Sequence, residues 1–328
     1  MRRHMYPVFW LLMVLVALTP VWAGGSAEEE ATDGAPEPAR LVMGTGGTSG
    51  LYYPIGGQLK TVFEDSELID SITVESTGAS VMNINNVTDG LNQMAIVMSD
   101  VAYDAVNGVG RFEGQQKDIR AIAGLYPNVV QVVVTEASGI TSVQDMEGRR
   151  VGVGAVGSGV EQSAQKVLAA AGLSYDDLAQ VTNTGYADSV QSMRNGTLDG
   201  AFFTSGIPNS NILDLFANMD VRFVPVSGAV ASDLIDANPF YERYTIGAGD
   251  ASAYGLPDAV ETVAIRNLLI VSPTVPEPVV QELTTRFYDF LGSGGVTIDA
   301  LNAFDRDTMN QGLVVDLHPG AAQFYQAR

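Results

Sequence analysis

From residue 41 to residue 204 the chain repeats one unit: a short apolar run, a turn rich in glycine and hydroxyl side chains, then a stretch with helical spacing. That alternation is the pattern of parallel strands joined by crossover helices, and it confines the fold to the α/β class. In the first half, residues 41–43, 72–75 and 94–97 read as buried strands, each followed by a helix at 51–63, 80–89 and 101–106. Residues 119–125 and the valine-rich 129–135 read as two further strands. The second half repeats the cadence with a strand at 151–153, a helix at 158–171, a strand near Val181, a helix at 188–195 and a strand at 201–204. Strands are also predicted at 221–226 and 263–272, and an amphipathic helix at 276–291 with Val279, Val280, Leu283, Phe287 and Phe290 on one face.

The simplest assembly is two doubly wound α/β lobes joined by crossing strands near 130–135 and 264–272. Lobe 1 would comprise residues 40–133 plus 265–328, and lobe 2 residues 134–264. Ligands of open α/β sheets bind beyond the carboxyl ends of the strands, so both lobes would aim their turns at one cleft.

The amino terminus points to export. Arg2 and Arg3 precede an apolar run at 8–18, and Val21-Trp22-Ala23 presents small residues for cleavage, so 1–23 is predicted to be a cleavable signal peptide. The run is shorter than the roughly 20 residues of a membrane span. With no cysteine in the chain, neither a lipid-bearing amino-terminal cysteine nor a disulfide is expected. Residues 24–39, rich in Ala, Glu, Gly and Pro, read as a disordered acidic spacer. The expected location is periplasmic or otherwise extracytoplasmic, with no membrane insertion of the mature chain.

The whole chain carries a net charge of −21, and removing Arg2 and Arg3 makes it two units more negative. Lysine occurs only at 60, 117 and 166, and the acidic residues are dispersed. Nucleic acid and anionic membranes, which need clustered Lys and Arg, are therefore excluded as partners.

Four turns should face the cleft. The first, Gly44-Thr-Gly-Gly-Thr-Ser-Gly-Leu-Tyr-Tyr, brings Gly46 and Gly47 before a helix start and sets Tyr52 and Tyr53 beside them. Backbone N–H groups at a helix start hold a carboxylate or phosphate without any arginine. The second turn offers Ser76, Thr77 and Ser80, with Asn83 one helical turn on; Ser80 also suits a helix cap. The third contains Ser99 and Asp100, where Asp100 reads as a cap. The fourth, at 154–159, mirrors the first with Gly157 and Ser158. Gly152, Gly154 and Gly157 also fit a dinucleotide fingerprint, but the next predicted strand ends in Asn183-Thr184-Gly185-Tyr186 instead of the acidic residue that holds a ribose. No cofactor and no metal are expected.

Catalysis finds little support. Beyond the leader the only imidazole is His318, read as a surface residue beside Pro319, and no Gly-x-Ser-x-Gly elbow, His-Glu-x-x-His pair or phosphate loop occurs. A pair of carboxylates serving a hydrolase stays open on counting alone, although no spacing singles one out.

Gly44-Thr-Gly-Gly with Gly50 and Tyr52-Tyr53-Pro54, then Ser76-Thr77-Gly78 with Ser80 and Asn83, then Ser99-Asp100, and finally Gly157-Ser158-Gly159 occur in that order. Together with Gly185-Tyr186 and Asp199-Gly200-Ala201, this series resembles the TAXI-type solute-binding proteins of TRAP transporters, from about Leu41 to the carboxyl terminus. The resemblance implies a two-lobed periplasmic-binding-protein fold of type II. It also implies capture of a small carboxylate, a glutamate-like amino acid or a dicarboxylate, and delivery to a sodium-coupled TRAP-type membrane permease. An ABC-type or sensor-associated receptor of the same fold is the alternative.

The chain departs from the family in having Ala79 where a second glycine is common and Met98 where a glutamine often precedes Ser-Asp. None of the four turns contains an arginine; Arg120 and Arg266 lie in or beside predicted strands. The expected ligand contacts are N–H and hydroxyl groups of Gly46, Gly47, Ser76, Thr77, Gly157 and Ser158, walls from Tyr52, Tyr53 and Tyr126, and Gly185, Tyr186 and Gly206 from lobe 2. Ser80, Asn83 and Ser99 complete the set.

Overall fold

A computed structural model describes residues 37–249 and 252–328. The predicted signal peptide and most of the predicted spacer lie outside these residues. The remainder forms one compact unit.

Two parallel three-stranded groups flank a central antiparallel pair. In the first group β1 (Ala39–Gly44), β2 (Ile69–Glu75) and β3 (Met94–Met98) take the order β2-β1-β3, with α1 (Tyr52–Phe63) and α2 (Ser80–Thr88) as crossovers. The helix α3 (Ser99–Asn107) leads out of it to β4 (Arg120–Thr135). The second group, β5 (Arg150–Gly152), β6 (Gln180–Thr182) and β7 (Gly200–Ser205), takes the corresponding order β6-β5-β7, with α4 (Gly159–Ala170) and α5 (Tyr186–Arg194) between the strands. In both groups the second strand lies on one edge of the first and the third strand on the other, which gives the shared 2-1-3 order.

The chain continues through α6 (Ser210–Asn218), β8 (Val221–Val224), α7 (Gly228–Ala237) and β9 (Tyr241–Ile246) to β10 (Val260–Val271). The strands β4 and β10 join the groups. Along β10, Asn267 to Val271 pair with β3 while Val260 to Ile265 pair with β9. Along β4, Arg120 to Val129 pair with β10 and Val129 to Val134 pair with β7, with β8 beside its far end. The two strands expected at 119–125 and 129–135 are thus one. Pro127, which lacks an N–H and would interrupt a regular ladder, sits opposite Arg266 next to the shift in the β4–β10 register.

The first half buries Ile55, Leu59 and Phe63 of α1 against Val279, Val280, Leu283 and Phe287 of α8 (Glu277–Gly292), with α9 (Asp299–Asn302) and α10 (Pro319–Gln326) closing that side. A second core crosses from Ile84 and Val101 to Val160, Ala164 and Val167 of α4, so apolar contact ties the two halves together. His318 is not the surface residue expected. It is 1 % exposed and caps α10, its Nδ1 accepting the Gly320 N–H at 3.2 Å. No helix among the described residues is long and apolar enough to cross a membrane.

Candidate functional site

The turns beyond β1, β2, β5 and β6 converge on a cavity of about 130 Å3, floored by the middle of β4 and the end of β7. It is large enough for roughly ten water-sized spheres. Among the described residues, no charged side chain lines it.

Of the expected contacts, Gly46, Gly47, Tyr52, Thr77, Ser80, Tyr126, Ser158, Gly185 and Tyr186 line this cavity. Tyr53, Ser76, Asn83, Ser99, Gly157 and Gly206 do not. Each of the six has a different local reason. Tyr53 follows Tyr52 by about 100° around α1 and is turned outward, 37 % exposed. Ser76 donates to the Gly46 carbonyl at 3.0 Å and so braces the first turn from behind. Asn83 is buried, its Nδ2 donating to the carbonyls of Thr45 at 2.6 Å and Ile96 at 2.8 Å, which locks the ends of β1 and β3 to α2. Ser99 is buried in the first turn of α3. Gly206 packs behind the wall: a methyl group there would meet Leu51 and Tyr126 at 2.8 Å.

Gly157 is the sharpest departure. Its N–H, expected to meet a ligand, donates to the Glu161 carboxylate at 2.7 Å, and its carbonyl accepts the Val81 N–H of α2 at 3.2 Å. Glu161 also meets Arg111 at 2.8 Å, and Ser158 Oγ caps α4 by accepting the Glu161 N–H at 3.1 Å. The first turn is built otherwise. Leu51 caps α1 with no side-chain bond, and Pro54 has no N–H, so the N–H groups that open α1 have no side-chain acceptor from their cap.

Thr77, expected as a donor, is partly committed. Its hydroxyl accepts the Ala79 N–H at 3.0 Å and lies 2.6 Å from Asn83 Oδ1. This loop holds Ala79 at φ 67°, the one non-glycine residue with positive φ among the described residues. The position where a glycine is common in the resembling family is thus one that a glycine would fill without strain.

Tyr52, Tyr126 and Tyr186 surround the floor. Burial pushes all three phenols upward, Tyr52 and Tyr126 well above the usual value, so each presents a neutral hydroxyl. Tyr186 donates to the Thr204 carbonyl at 2.7 Å, and Tyr52 donates to Asn267.

Residues that sequence reasoning did not select also line the cavity, among them Ser49, Leu51, Asn128, Thr204 and Ser205. Asn128 had a legible signal, an amide inside an otherwise apolar run that leads into Val129 and Val130. Asp100, expected to cap α3, is fully buried and pairs with Lys166 of α4 at 2.6 Å. Arg266 turns away to the carbonyls of Leu125, Gln311 and Thr308, and Arg120 pairs with Asp118. Neither arginine is among the cavity-lining residues.

A model of the NMT1-like family matches residues 43–327. Among solved structures, the alkanesulfonate-binding protein SsuA from Xanthomonas axonopodis pv. citri bound to MOPS superposes with a TM-score of 0.51 at 15% identity, covering 90% of this chain and 86% of that one. A protein from Bordetella bronchiseptica RB50 gives a TM-score of 0.52 at 17% identity, covering 88% of this chain and 83% of that one. The architecture is that of type II periplasmic binding proteins.

Proposed function

The chain belongs to the NMT1-like family, and from that footing we propose that it is an exported solute receptor that encloses a small organic anion between the two halves of its sheet. The observation that carries this reading is the cavity itself. It lies where the strand ends of both halves meet, it is walled by backbone turns and hydroxyls, and it has room for on the order of ten non-hydrogen atoms. Among the described residues its lining has no histidine, carboxylate or lysine to act as a base, which favours binding over turnover.

The solute class is a glutamate-like amino acid or a dicarboxylate, with the acidic group held by the N–H groups at the start of α1. These groups bring a partial positive charge without a cation. The partner is a TRAP-type permease that recognises a surface made by both halves once closed. The likeness to SsuA supports a second solute reading, an alkanesulfonate, because a sulfonate makes the same demand on N–H and hydroxyl donors; delivery would then be to an ABC-type permease.

A dye-based thermal-shift screen of residues 24–328 against amino acids, dicarboxylates, sulfonates and sugars tests the proposal. A solute at a thousand times its dissociation constant adds about 4 kcal/mol of stability. A shift with one acidic class supports the receptor reading and names the class. Folded, ligand-free protein that shifts with none of them, or that turns over an ester or glycoside, overturns it. Sodium-dependent uptake in cells that make the receptor with its permease separates the TRAP from the ABC partner.

A further inference from the structure

Four buried groups form a one-way hydrogen-bond relay that ends at Asn128, in the cavity wall. Asn267 Nδ2 donates to the Tyr126 carbonyl at 3.0 Å. Asn267 Oδ1 accepts the hydroxyl of Tyr52, and the Tyr52 oxygen accepts Asn128 Nδ2 at 3.2 Å. Asn128 Oδ1 then has no partner, although Asn128 is 2 % exposed and lines the cavity.

The direction of this relay is not a free choice. The Tyr126 carbonyl can only accept, so Asn267 must turn its NH2 toward it and its oxygen toward Tyr52. Tyr52 has one hydrogen, and Asn267 takes it. If Asn128 were turned over, its carbonyl oxygen would face the lone pairs of Tyr52 with no hydrogen between them. The amide of Asn128, an orientation ordinarily assigned from its neighbours, is therefore set by a backbone group two residues before it in the chain.

Among the described residues, two other buried side-chain oxygens of the lining lack partners, Tyr126 Oη and Thr204 Oγ1. Each is a hydroxyl that can donate or accept, so neither constrains the chemistry of an occupant. Asn128 Oδ1 can only accept.

We propose that Asn128 is a specificity-determining residue, and that the solute presents an N–H or O–H donor to its Oδ1, which makes it an amino acid or hydroxy acid and not a plain carboxylate, dicarboxylate or sulfonate. This rests on the receptor reading and narrows it. A solute without the donor leaves a buried acceptor unpaired, a penalty equivalent to roughly 10- to 100-fold in affinity. Tyr52 is a positioning residue in this scheme, acting through Asn128.

The test uses matched acids that differ only in the donor: L-glutamate, 2-hydroxyglutarate and glutarate, together with taurine, isethionate and ethanesulfonate. Dissociation constants are measured calorimetrically on residues 24–328 with the wild-type chain, Asn128→Leu and Tyr52→Phe. Expected for the wild type is at least tenfold tighter binding of the amino or hydroxy member than of the donor-free member of a series. In Tyr52→Phe the amide is free to turn its NH2 inward, where a carboxylate or sulfonate oxygen of the donor-free acid can accept from it, so the ratio falls toward one and the donor-free acid gains affinity, a gain that damage to the fold does not produce. Asn128→Leu also loses the ratio. Equal binding of glutarate and glutamate, or of ethanesulfonate and taurine, by the wild type overturns the proposal alone. So does a ratio that survives in Tyr52→Phe. Binding of no member of either series overturns the receptor reading beneath it.

Discussion

The β1–α1 turn and the β5–α4 turn look interchangeable as strings of glycine and serine, yet they use their backbone groups in opposite ways. At the start of α1 the cap residue is Leu51, whose side chain accepts nothing. At the start of α4 the chain is self-satisfied: Ser158 caps Glu161, and Glu161 reaches back to the Gly157 N–H and out to Arg111. A carboxylate built into the sequence occupies the second turn where a ligand carboxylate was expected. Two glycine turns of one protein are thus not two anion sites; capacity depends on what the next helical turn supplies.

The helix that follows the occupied turn is also the one tied across the cleft, and breaking that tie should have the largest effect. Lys166→Met leaves the fully buried Asp100 with Tyr241 and its own backbone but without its close cation. The expected loss is about 3–5 kcal/mol, read from urea unfolding. A loss under 1 kcal/mol would mean that the two halves separate readily and Asp100 is hydrated.

The comparison itself is broken by Glu161→Ala. It frees the Gly157 N–H and removes the Arg111 partner, and it should lower stability by about 1–3 kcal/mol while making the second turn competent for an anion. Tighter binding of an acidic solute by the variant would sharpen the contrast; unchanged affinity would place the acidic group at the first turn alone. Ser158→Ala removes the α4 cap together with a hydroxyl of the cavity wall, and the loss of the cap should lower the unfolding free energy by about 1 kcal/mol.

In the first half, Ala79→Gly relieves the positive φ beside the cavity and should raise stability by about 1 kcal/mol, visible as a higher Tm. A lower Tm would show that the loop holds Ala79 for its methyl group.

The smallest effect is one of pH. Burial holds the His318 imidazole below its ordinary value of 6.5. The unfolded chain therefore binds this proton more readily, so the contribution is complete above about pH 6.5 and is lost as pH falls below it toward the folded value. His318→Asn, which retains a cap acceptor for α10, should flatten that part of the stability profile. An unchanged profile would assign the pH dependence to other groups.

Much of the frame was legible because its signals are local. Apolar runs of strand length, glycines at strand ends and the 3.6-residue spacing of Val279, Val280, Leu283 and Phe287 all act within a few residues. Three of the four turns expected to face the cavity were found by the same means, whereas Ser99-Asp100, at the carboxyl end of β3, is buried away from it with Asp100 paired to Lys166. What escaped notice depended on partners far away in the chain. Pro127 reads as a break until β10 is set beside it with shifted register. His318 reads as surface until the fold buries it beside the backbone of Pro273 and Val275. Asp100 reads as a cap until Lys166, 66 residues away, takes its carboxylate.

By itself the sequence determined the α/β class, the two repeated βαβ groups and the places where glycine turns meet helix starts, because backbone preference and hydrophobic period operate over neighbouring residues. Only the tertiary structure decided which groups of the cavity remain unpaired. The Gly157 N–H is lost to a side chain four residues on, whereas the Asn128 oxygen is left over by a relay whose members are 76, 215 and 141 residues apart. Hydrogen-bond capacity is shared out among whatever the fold brings within 3 Å or so, and a one-dimensional order does not contain that inventory.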